Sequence, residues 1–164
     1  MIKKLFPLVL CMLIPSVVVF AQSGQDSGDV WICPGGEIAL YSTQGMAYGG
    51  GFSVGYGKGT SIGLRAAWFF APEGTGTLEL SFLFRVYFFG PNAYSGPFIQ
   101  FTGGPALFFL KNSEVTIPSE FGMISAGLNF GWRFLFEDRW FIEPSVRAGY
   151  PYIAGAGVFA GVRF

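Results

Sequence analysis

Glu79 and Glu143 both stand inside long apolar stretches, and two carboxylates are the usual equipment for general acid–base chemistry. The residues that would complete such a site are missing. The chain contains no His, which removes every Ser–His and Cys–His nucleophile and the commonest metal ligand. GYGKGTSIG, Gly55 to Gly63, has the look of a phosphate-binding loop, but Gly59 stands where Ser or Thr must follow the lysine, and no helix signal follows. A tight turn between strands is the better reading. The same apolar stretches carry Arg65, Arg85, Arg133, Arg147 and Arg163, and Glu37 is a third acidic residue of the set. Five guanidinium groups against three carboxylates describe a salt-bridged network better than an acid–base pair. No catalytic residue, metal ligand or cofactor is assigned, and the chain is not expected to be an enzyme.

What positions these charges is legible in LELSFLFRVYFF, Leu78 to Phe89. From Thr77 the even positions are Leu78, Leu80, Phe82, Phe84, Val86 and Phe88, and the odd ones are Thr77, Glu79, Ser81, Leu83, Arg85 and Tyr87. Side chains alternate faces along a strand, so both charges fall on one side. On a helix they would lie on different faces among Phe and Leu. The same parity recurs with Arg65 among Ser61, Gly63, Ala67 and Phe69. It recurs with Arg133 among Ser125, Gly127, Asn129 and Gly131, and with Glu143 and Arg147 among Phe141, Ser145 and Gly149. In the last run Phe159, Gly161 and Arg163 alternate with Val158, Ala160, Val162 and Phe164.

Gly and Pro clusters punctuate the chain every 10 to 15 residues, which marks turns between strands. Eight strands are expected, over 37–42, 46–56, 60–70, 77–88, 97–110, 121–135, 140–150 and 156–164. An apolar outer set with a charged inner set predicts an all-β, transmembrane, antiparallel eight-stranded up-and-down barrel, since a membrane strand needs only about 9–11 alternating residues. A basic side chain facing lipid at the midplane would cost roughly 2–4 kcal/mol, so Glu37, Arg65, Glu79, Arg85, Arg133, Glu143, Arg147 and Arg163 are placed in the lumen. Trp68, Phe70, Phe109 and Tyr150 are expected to form an outer aromatic girdle. Tyr56, Phe88, Phe134, Trp140 and Phe164 would form an inner one. Phe69, Phe108, Leu110, Phe121 and Met123 face inward at the outer mouth; they either receive a small hydrophobic ligand or merely pack the barrel end.

The composition agrees: 51% hydrophobic, 19% aromatic and only 12% charged, with 25 Gly in 164 residues. A soluble domain carries about 25% charged residues. Met1 to Ala21 reads as a signal peptide, with Lys3 and Lys4 before the apolar run Leu5–Phe20 and a small-residue cleavage site at Val19-Phe20-Ala21. Residues 22–35 are then a periplasmic leader and 36–164 the barrel. Without Lys3 and Lys4, ten basic residues become eight against ten acidic ones, a mature charge near −2. Nucleic-acid binding is not indicated. Cys11 leaves with the signal, so Cys33 has no partner for a disulfide.

With Val158, Ala160, Val162 and the terminal Phe164 in phase with the other strands, the chain ends like the assembly signal of outer-membrane barrels. Over its whole mature length it resembles the small eight-stranded barrels of the OmpW, OmpX and OmpA-transmembrane-domain group. That resemblance implies location in the cell outer membrane, with lipid and the barrel-assembly machinery as partners and a monomeric state. It also implies no enzymatic activity, because the lipid-modifying and proteolytic barrels of this size use a catalytic His. OmpW-like members are associated with passage of small hydrophobic molecules, and OmpX-like members with surface interactions. Two functions therefore stand open: a narrow or lateral route for such a molecule, or a structural or surface-interaction barrel with a plugged lumen. In the second, Lys111, Glu114 and Glu120 of the loop 111–120 would carry the contact.

Overall fold

The structure, a computed structural model, describes residues 28–42, 45–72, 74–88, 94–110 and 124–164. They form eight strands: β1 (Val30–Tyr41), β2 (Gly45–Gly57), β3 (Thr60–Phe70), β4 (Thr75–Tyr87), β5 (Gly96–Leu110), β6 (Ile124–Phe136), β7 (Trp140–Tyr150) and β8 (Tyr152–Arg163). Each pairs antiparallel with its sequence neighbours, and β8 returns to β1, closing an all-β barrel. Closure leaves no free sheet edge, the condition for a β-structure to sit in lipid. Among the described residues no helix is long and apolar enough to cross a membrane.

The alternation read from the sequence governs the wall. In β4 all six odd positions from Thr77 to Tyr87 are buried in the lumen, while Leu80, Phe82 and Phe84 are exposed on the outside. β3 and β7 occupy the spans expected of them. β1 differs: it starts at Val30 rather than Glu37, so Val30–Gly35 belongs to the barrel wall and not to a leader. Pro34 stands within this segment. Its missing N–H is spent on one ladder alone, since β1 pairs with β2 through Pro34↔Phe52. The β1–β8 pairing lapses between Ile32↔Val162 and Gly35↔Phe159. Pro105 and Pro144 sit beside similar gaps in the β4–β5 and β6–β7 ladders.

β8 also starts early, at Tyr152, so the expected outer loop 151–155 shrinks to Pro151. A register shift in the β1–β8 pairing at Leu40/Tyr41 sets Tyr41 opposite Tyr152. The bulge reverses the parity at that end and turns Tyr152 into the lumen, where it is buried. At the opposite end, β6 and β7 are joined by a turn with Glu137 and Asp138 both at positive φ, 51° and 54°.

Some of the glycines make room for rings in the lumen. A Cβ on Gly55 would lie 2.3 Å from Cζ2 of Trp31, and one on Gly127 would lie 1.6 Å from the Tyr152 hydroxyl. These bulky rings rest on the bare backbone of another strand. Gly55→Ala is therefore expected to cost about 1–3 kcal/mol, the usual range for overpacking. Loss of the near-ultraviolet circular dichroism of a clamped Trp31 would accompany a lowered urea midpoint. Unchanged spectra would show that the indole has room to move.

Candidate functional site: the charged lumen

Neighbouring strands place charged side chains in two layers. In the layer farther from the chain termini, Glu37 of β1 accepts from Arg65 of β3 and pairs with Arg147 of β7. Arg147 Nη1 also donates to Glu79 Oε2 at 2.8 Å, and the Tyr41 hydroxyl donates to Glu79 Oε1. Two carboxylates and two guanidinium groups balance. Arg147 is stacked on Tyr152, with its guanidinium carbon 3.5 Å from the ring centroid.

The layer nearer the termini is built on Glu143. Arg85 grips it twice, Nη1 to Oε1 at 2.6 Å and Nη2 to Oε2 at 3.1 Å, and Arg133 Nε donates to Oε1. Gln100 Oε1 accepts from Arg85 Nε and Nη2 at 3.0 and 2.7 Å, and Tyr87 lies 3.1 Å from Nη1. The Cys33 thiol, 3.8 Å from Glu143 Oε2, donates to the same carboxylate. Two guanidinium groups thus share one carboxylate. Aromatic faces hold the remaining positive charge: Arg133 lies 3.8 Å from the Phe141 centroid and Arg85 4.0 Å from that of Phe98. The Trp31 ring sits against both cations, at 4.7 and 4.9 Å.

Glu79 and Glu143 therefore lie in different layers, each occupied by guanidinium partners, and form no acid–base pair. Between the layers is a cavity of about 20 Å³, lined among others by Glu37, Arg65, Arg85, Glu143, Ser53 and Asn129. At the far end Tyr41, Phe69 and Tyr152 are buried and pack edge to face, with ring centroids 5.6 and 6.4 Å from Tyr41. Phe108 joins this aromatic cap at 6.5 Å. Outside the wall, Gly36, Ile38, Phe130, Pro144, Ala156 and Val158 help line an open apolar groove of about 790 Å³ across β6, β7, β8 and β1.

Of the residues singled out in the sequence, Glu37, Arg65, Glu79, Arg85, Arg133, Glu143 and Arg147 are all buried and converge on the two layers. Arg163 does not join them. It lies at the barrel rim, partly exposed, bound to Asp29 at 3.2 Å and to the Asp138 carbonyl at 2.6 Å. As the last residue of β8, it stands one step past the lumen proper. Phe69 and Phe108 fall in the cap, while Phe121, Met123 and the Leu110 side chain lie outside the described residues. So do Lys111, Glu114 and Glu120. Val158, Ala160 and Phe164 point outward and are exposed, with Val162 half-buried beside them. The sequence reading missed Trp31 and Cys33, which parity with Glu37 would have revealed had β1 been extended, and Tyr41, which shares that parity within the expected strand. It also missed Tyr152, which only the bulge turns inward.

No protein-family model matches this chain, and no curated protein sequence matches it significantly. Among solved structures it is similar to the N-terminal β-barrel domain of Pseudomonas aeruginosa OprF, with TM-score 0.59 and 18% identity over 84% of this chain and 99% of that one. Neisserial surface protein A matches with TM-score 0.56 and 12% identity, covering 83% and 95%. The outer membrane protein OprG from Pseudomonas aeruginosa matches with TM-score 0.59 and 11% identity, covering 84% and 96%. At such identities the likeness establishes the fold, that of the small eight-stranded outer-membrane barrels.

Proposed function

We propose that this chain is an integral outer-membrane barrel whose lumen is closed by its own side chains, serving a structural or surface-interaction role without transport along the barrel axis. The observation that carries this reading is the pair of buried ion-pair layers, capped by Tyr41, Phe69 and Tyr152. Eight strands leave an interior just wide enough for side chains to fill. On this reading residues 1–21 direct export, the chain is a monomer in lipid, and the assembly machinery reads Val158, Ala160, Val162 and Phe164. Any surface contact is made by the loop 111–120, whose deletion leaves the barrel folded.

The test is conductance of refolded protein in a planar bilayer, with insertion verified independently. Wild-type protein is expected to be silent across several hundred insertions. Regular ion steps would overturn the closed-lumen reading.

The apolar groove on the outer wall favours a second reading, a sideways route for a small hydrophobic molecule that enters past Phe69 and Phe108. Phe108→Asp would then abolish binding of an apolar fluorescent probe to the barrel. Unchanged binding would leave the closed barrel as the sole reading.

A further inference from the structure

The outer wall is uneven. β6 sets a ring at every second position, Phe130, Trp132, Phe134 and Phe136, all exposed, with Trp132 and Phe134 stacked at 6.0 Å. β7 and β8 beside it carry lower side chains: Ala160 lies opposite Ile142, Val158 opposite Pro144 and Ala156 opposite Val146. On β1, Gly36 continues the middle of these rows, opposite Val158. A Cβ on Gly36 would meet nothing nearer than the Gly49 carbonyl oxygen at 3.9 Å, so bare backbone floors the apolar groove there. The strands that border the groove lead down to the β6–β7 turn, where Glu137, Asp138 and Arg139 are all exposed. We propose that the groove holds one acyl chain of a phospholipid from the leaflet on the side of the chain termini, and that the turn binds its phosphoethanolamine headgroup.

Reach, shape and charge select this occupant. Pro144 is the fifth residue of β7, about 17 Å along the strand from Arg139 at roughly 3.4 Å per residue. A strand tilt of about 35–45° brings that to about 12–14 Å of depth, within the roughly 15 Å that one leaflet's chains fill. A second copy of the barrel would present a convex wall, which cannot enter a groove bordered by rings; a flexible chain can. At the turn, Arg139 offers a forked donor set to a phosphate, with its guanidinium 5.9 Å from the Phe164 ring. Glu137 and Asp138 offer acceptors to a primary ammonium. Their backbone is fixed at positive φ and closed by the Arg139 amide donating to the Phe136 carbonyl at 3.1 Å, so the three charges project from one tight turn. A headgroup with a phosphate and no amine would leave both carboxylates facing an anion. The site rests on the barrel lying in lipid, and not on whether the lumen conducts.

Native mass spectrometry of the refolded barrel, offered equal amounts of phosphatidylethanolamine and phosphatidylglycerol with identical acyl chains, tests the proposal. Wild type is expected to retain one phosphatidylethanolamine in preference to phosphatidylglycerol. Gly36→Phe fills the groove and should lose that lipid, while Leu80→Phe on the opposite wall should keep it. Arg139→Gln should weaken retention about fivefold. Glu137→Gln combined with Asp138→Asn, where Asn tolerates the positive φ, should erase the preference between the two lipids. Circular dichroism confirms that each variant is folded, and Ala156→Leu takes the place of Gly36→Phe should the latter fail to refold. No lipid retained by wild type, or retention unchanged by filling the groove, would overturn the acyl-chain site. Equal retention of both lipids by wild type would overturn the headgroup assignment.

Discussion

Replacing Glu143 by leucine is expected to destabilise the barrel by about 3–5 kcal/mol, read as a drop in the urea midpoint of refolded protein. Glu143 is the single carboxylate of its layer, and Arg85 and Arg133 both depend on it. Arg85 would keep Gln100 and Tyr87, but Arg133 would lose its one hydrogen-bond partner among the described residues. Both guanidinium groups are buried, at 4% and 2% exposure, and leucine offers them no acceptor. Two outcomes separate the penalty of stranded charge from a loss of packing. Glu143→Gln retains shape and one acceptor, and should cost less than leucine. Combining Glu143→Leu with Arg85→Met and Arg133→Met should recover most of the loss, because a fully apolar replacement of a buried ion-pair set is often neutral or better. A triple variant as unstable as Glu143→Leu alone would mean that the charges specify this barrel's packing and do more than neutralise each other.

The placement of Glu143 was legible in the sequence, whereas its partners were not. Period two fixed which face each charge takes, because a strand has only two faces and one of them is closed to charge. Pairing depends on register between strands far apart in the chain: Arg85 is 58 residues from Glu143, and Arg147 is 68 from Glu79. Alternation carries no information about which inward residues share a level. The ends of the barrel failed for a different reason. Pro34 reads as a strand breaker, yet a barrel strand has two ladders and can lose a donor to one while keeping the other. Tyr152 shows the reverse case, where a bulge shifts parity by one residue and no pattern in the residues announces it. Parity therefore locates the lumen, and backbone irregularities decide what caps it.

Phe82→Arg is expected to cost about 2–4 kcal/mol, and Phe88→Arg only about 0–1, measured as urea midpoints in the same lipid. Phe82 lies near the middle of β4 and is 75% exposed on the outer face, so it touches little within the barrel. Phe88 follows the last residue of the same strand and is also exposed. Side-chain contacts thus predict similar, small losses at both positions. Depth in the hydrocarbon separates them, because a guanidinium near the end can snorkel to the interface and one at the midplane cannot. In a barrel bathed by water both substitutions would be neutral or solubilising. Equal losses at Phe82 and Phe88 would place β4 off-centre in the bilayer, with its end still inside the hydrocarbon. A larger loss at Phe88 would mean that the apolar band sits toward the termini, and would move the aromatic girdle of Phe134, Trp140 and Phe164 into the membrane core.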